Sequence, residues 1–194
     1  MLNWHFAIYN TLAMTELPKI KLSKLDAAKR QLETAIVLYF NSGEPVSVHT
    51  LSCAARQILV DLCKHRNIEI DFTLKSLIKS QVAPEFRKEV FREFAVPENF
   101  FKHAERDPEG SFDFIPRGSD FVIFESLQMY LSLTSEAPPL MRLFSVWWQI
   151  LHKNFLLPSE VKKLNLLNSI SYTENERGKF FQECLPAAYK ISAG

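Results

Sequence analysis

The chain has 194 residues, 47% of them hydrophobic and 23% charged, with a formal net charge of +1. That length and composition suit one globular domain with a sizeable core. The near-neutral balance excludes a protein drawn by its overall field to nucleic acid or an anionic membrane, and sixteen Phe against five Gly predict a core of large rings with few tight turns.

The opening MLNWHFAIYNTLAM is apolar, but it lacks a basic flank and is broken by Asn3, His5 and Asn10. Residues 1–17 therefore read as an N-terminal extension rather than a secretory signal, with Met14 as an alternative start. Ser23 suits an N-cap, and Leu25, Ala28, Leu32, Ala35 and Tyr39 recur at helical spacing behind it. Gly43, expected at positive φ, and Pro45 should end that helix. A second helix is predicted over 46–66, with a seam of Val48, Leu51, Ala55, Ile58 and Leu62 and a flanking strip of His49, Cys53, Val60 and Cys63. A short link between two long amphipathic helices predicts an antiparallel hairpin at the centre of a bundle.

IEIDFTLKSLIKS reads as a loop with a short helix. Pro84 should open the next helix, with Phe86, Val90, Phe91 and Phe94 on its apolar side. Pro97 should interrupt it, and PENFFKHAER should resume as a further helical piece. DPEGSFDFIPRGSD, with two prolines and two glycines, is a loop. Helices follow at 120–134, apolar nearly all round and so interior, and at 139–155. Two shorter C-terminal helices are expected, capped by Ser159 and Thr173. The expected fold is an all-α, single-domain helical bundle of about seven to eight helices over residues 1–194. No apolar run is long enough to cross a bilayer, so the expectation is a cytoplasmic protein without membrane partners.

Cys53, Cys63 and Cys184 show no CxxC spacing and read as reduced thiols. The GxGxxG, GxxxxGK[ST], HExxH and GxSxG patterns are absent, so no cofactor and no metal are expected. Chemistry-bearing residues concentrate in NFFKHAERDPEG, residues 99–110. On a continuous helix, Asn99, Lys102, His103 and Arg106 would share a face able to grip a phosphate, with His103 as acid or base. The bland reading is a cationic helix end set against its dipole and neutralised by Asp107 and Glu109.

An Asn and a His four apart after an extended helix, Asn99 and His103, resemble the HEPN superfamily of compact helical bundles, found in defence ribonucleases and in nucleotide-binding or partner-binding proteins. Catalytic members carry an Arg separated from the His by four to six intervening residues. That position falls here on Val96, Pro97 or Glu98, none of them basic. The resemblance thus implies a HEPN-like scaffold without nuclease activity.

His49 could face the cleft containing His103. Glu125 interrupts the apolar run FVIFESLQMYL, so it must be paired within the bundle or border a cleft. Trp147 reads as core, whereas Trp148 points about 100° away on the helix and is the candidate interface residue. The leading expectation is a non-catalytic binding or assembly module that forms a homodimer. The alternative is an enzyme acting on RNA or a nucleotide through His103 and Asn99, with Lys102, Arg106, His49 and Glu125 binding the substrate.

Overall fold

The computed structural model describes residues 19–70, 73–105, 107–153 and 172–190. These form seven α-helices and no strand: α1 (Lys24–Phe40), α2 (Pro45–His65), α3 (Leu74–Gln81), α4 (Arg87–Phe100), α5 (Gly118–Thr134), α6 (Pro139–Leu151) and α7 (Arg177–Lys190). The fold is all-α, as the helical periodicity predicts. The N-terminal extension, Arg106 and the helix expected behind Ser159 lie outside the described residues.

Local chemistry sets most helix ends. Ser23 opens α1 with a reciprocal capping box: its hydroxyl accepts from the Asp26 N–H while the Asp26 carboxylate accepts from the Ser23 N–H, each at 3.0 Å. Thr73 and Thr173 build the same device at α3 and ahead of α7. The stop of α1 differs from expectation. Ser42, not Gly43, takes the left-handed conformation, with φ 54°. Gly43 is the next residue, and its N–H donates to the Leu38 carbonyl at 2.8 Å, closing a Schellman turn. A Cβ at Gly43 would lie 3.0 Å from that carbonyl oxygen, so glycine is required there for close approach rather than for φ.

Two proline expectations are corrected. Pro84 lies in the turn before α4, which begins at Arg87. The reason is the Arg87 guanidinium, which donates to the carbonyls of Val82 and Lys79 and so ties α3 to the start of α4 across that turn. Pro97 does not interrupt the helix. It removes one N–H from the ladder, but its own carbonyl accepts from the Phe101 N–H at 3.0 Å and α4 runs on to Phe100.

The core grows from faces that the sequence pattern marks. Ala28, Leu32, Ala35, Ile36, Tyr39 and Phe40 of α1 are buried, and α1 packs on α2 across a four-residue link. The most enclosed helix is α5: all but two of the residues from Ser119 to Tyr130 are buried, because α2, α1, α6 and α3 all pack against it. Phe40 centres the aromatic packing, with rings of Phe144, Trp147, Phe180 and Phe181 around it at centroid distances of 4.9–6.0 Å. Trp147 is core, as expected, and its indole N–H donates to the Tyr39 hydroxyl. Trp148 is not an interface residue in this fold. It is 1% exposed and stacks on Phe124 of α5 at 3.9 Å, because α6 is covered on two sides by α5 and α7.

Candidate functional site

The end of α4 breaks up the face that a continuous helix would have made of Asn99, Lys102 and His103. The helix stops at Phe100, and the Asn99 carbonyl accepts from the N–H groups of both Lys102 and His103. The Asn99 side-chain amide turns back to donate to the Ala95 carbonyl at 3.0 Å, a local bond that Asn readily makes. Lys102 pairs with Glu98 at 2.6 Å. Glu98 is one of the positions where the HEPN motif would place its Arg, so an acid stands there and occupies the nearest cation. His103 is exposed and lines an open cleft with Asn99, Phe100, Glu105 and Asp107. Arg106 lies outside the described residues.

His49 does not line that cleft. It is 2% exposed, at the start of α2. Its Nδ1 lies 3.1 Å from the Ser119 hydroxyl of α5, and its Nε2 lies 3.4 Å from the Cys53 thiol one turn along α2. Burial pushes the imidazole pKa below its ordinary value and the Cys53 thiol up to about 12. The pair is therefore held un-ionised: a neutral thiol facing a neutral ring has no thiolate to attack with. What His49 does line is a separate pocket of about 280 Å³, walled by Phe94 and Pro97 of α4, Phe112 and Phe114 of the following loop, and Gly118 and Phe121 of α5. Asp113, Ile115 and Arg117 complete its lining, and all three are exposed.

Glu125 is buried in an ion pair. One oxygen accepts from Arg56 of α2, and the other accepts from the Leu74 N–H at the first residue of α3, at 2.9 Å. Burial works against the Arg56 charge, yet the Glu125 carboxylate outweighs it and holds the guanidinium pKa above its usual value. Glu125 thus joins three helices and borders neither the His103 cleft nor the His49 pocket.

Two features had no clear mark in the sequence. His152, just past α6, and Asp120, in the first turn of α5, meet at 2.8 Å inside the bundle, both 5% exposed or less. Burial pushes the Asp120 pKa up, against the pull of His152. Asp120 stands at the head of a largely apolar helix and His152 beside Trp147 and Trp148, but nothing in the sequence pairs the two. The pocket itself is the other: the pattern puts Phe94 on the apolar side of its helix, and Phe112 and Phe114 in a loop. No group of three or more His, Cys, Asp or Glu poised for a metal occurs among the described residues, and no described helix is long and apolar enough to cross a membrane. Set against family models, curated proteins and solved structures, the chain has no match.

Proposed function

We propose that the chain is a HEPN-like, single-domain helical module of the cytoplasm that binds or assembles without catalysis, and that it works as a homodimer. The observation that carries this reading is the fate of the basic cluster. Glu98 neutralises Lys102, and His103 shares its cleft with the carboxylates of Glu105 and Asp107, which repel a phosphate rather than hold it. His49 is buried and kept neutral with a partner at each ring nitrogen. Nine large apolar side chains stay exposed among the described residues, Ile115, Ile20 and Phe86 the most, and the dimer part of the proposal rests on their being covered by a second copy.

Incubation of the purified chain with RNA tests the reading. The expected result is no cleavage, and His103→Ala should shift stability by no more than about 0.5 kcal/mol, as for other exposed positions. Cleavage by the unmodified chain that His103→Ala reduces by about a hundredfold or more, the lower range for a general acid or base, would overturn it. Light scattering tests the dimer separately, and a monomer mass would remove that part of the proposal.

A further inference from the structure

The pocket between α4 and the head of α5 is built unlike the rest of the surface. Four Phe rings and the His49 imidazole make up half of its lining residues. Phe114 stands edge-on to His49 with centroids 5.3 Å apart, and Phe94 stands edge-on to Phe121 at 6.3 Å. Such rings offer a guest both stacking and edge-to-face contacts. The one polar side chain at the floor, His49, has each nitrogen engaged, with Ser119 and with Cys53. It therefore asks no hydrogen bond of an occupant. At the exposed rim stand one guanidinium, Arg117, and one carboxylate, Asp113, so the mouth favours neither sign of charge.

Size narrows the guest. An apolar cavity of about 150 Å³ is enough for benzene, and this pocket has about 280 Å³. One ring or two fused rings fit within it, whereas the sugar and phosphate of a nucleotide would lie outside. From the lining, the occupied histidine and the volume, we infer that this pocket is a binding site for an uncharged aromatic small molecule of one or two rings. The inference deepens the reading of the chain as a binding module and rests on it.

Gly118 gives a direct way to close the site. A Cβ there would point at the Phe94 ring, 3.7 Å from its Cε1, an ordinary contact. Gly118 is the first residue of α5, where a larger side chain meets no left-handed backbone. Leucine at 118 would extend past that contact into the cavity.

The experiment is isothermal titration of the full chain with indole. Binding is expected with a Kd of roughly 0.1–1 mM, what a nine-atom ligand reaches at ordinary ligand efficiency. Gly118→Leu should weaken it at least tenfold while keeping the far-ultraviolet helical spectrum. Nuclear magnetic resonance of the unmodified chain supplies a readout that needs no variant. Indole should shift the ring signals of His49, Phe94, Phe114 and Phe121 and leave those of Phe40 and Phe180 in place. No binding to the unmodified chain, equal binding by a folded Gly118→Leu, or shifts centred away from the four rings would each overturn the inference. Indole binding is independent of RNA cleavage, so this proposal and the module reading can fail separately.

Discussion

Phe40 and Phe114 are the same side chain in two kinds of surroundings. Phe40 sits on α1 with rings from α6 and α7 around it and has no exposed surface. Phe114 sits on the loop between α4 and α5, is only partly buried, and touches Phe101 and His49 beside an open cavity. The first ring is fixed by helices on all sides. The second is held by a helix end and a loop, which supply fewer atoms than a ring needs to be enclosed. The difference teaches where an aromatic-rich chain keeps room for another molecule: at the margin where rings run out of helical partners, not in the densest packing.

The strongest way to break this comparison is to truncate a ring in each region. Trp147→Ala should cost about 3–5 kcal/mol in urea-induced unfolding, the range for deleting a large buried ring. Phe114→Ala should cost about 1–2 kcal/mol, since a partly buried ring forgoes part of the burial gain. Equal losses would mean that the two regions are packed alike.

A second prediction sharpens the account of the dense region through pH. Burial raises the Tyr39 pKa from 10.0 to about 12. The folded state therefore holds the phenolic proton more tightly than the unfolded state does. The associated stability is complete below pH 10 and is lost as pH rises towards 12, by roughly 2–3 kcal/mol for a shift of this size. Tyr39→Phe should lack this alkaline loss when the two unfolding curves are compared through that window. An equal loss in both proteins would show that the phenol is not enclosed as described.

The smallest expected effect lies at the margin. Lys102→Ala removes an exposed i, i+4 pair with Glu98, worth about 0.3–0.5 kcal/mol. A larger loss of melting temperature than Phe114→Ala produces would mean that the end of α4 depends on charge rather than on rings.

Much of the fold was legible because burial follows helical spacing. The apolar positions of α1 repeat at three and four residues, and the core uses most of them. In α2 the buried face is turned from the expected seam: Val48 and Ala55 are buried, but Leu51, Ile58 and Leu62 only partly, while Ser52, Leu59 and the flanking His49, Cys53 and Cys63 are buried. Single-face reasoning failed at Trp148, since a helix covered on two sides hides residues 100° apart equally well. It failed again at Pro97, where a helix lost one N–H and continued. In the candidate cluster, residue types were readable but the stop of α4 at Phe100 was not, and that stop decides which side chains share a face. The need for a partner at Glu125 was readable from chemistry, whereas its identity, Arg56 at 69 residues' separation, was not. The Asp120–His152 pair, 32 residues apart, has no local pattern at all.

Glu125 also bears on the order in which the molecule assembles. The eight residues of α3 are too few to hold a helix alone in water, and the first amide of α3 is bonded to a carboxylate 51 residues further along the chain. That bond can form only after α5 has docked, so α3 belongs to the late, non-local part of folding. By the same logic it is the part that opens first in the native protein. The Leu74 amide should exchange with deuterium faster than the amides of Phe124 or Leu127, and the gap between them measures how often α3 lifts from the bundle while the rest stays folded.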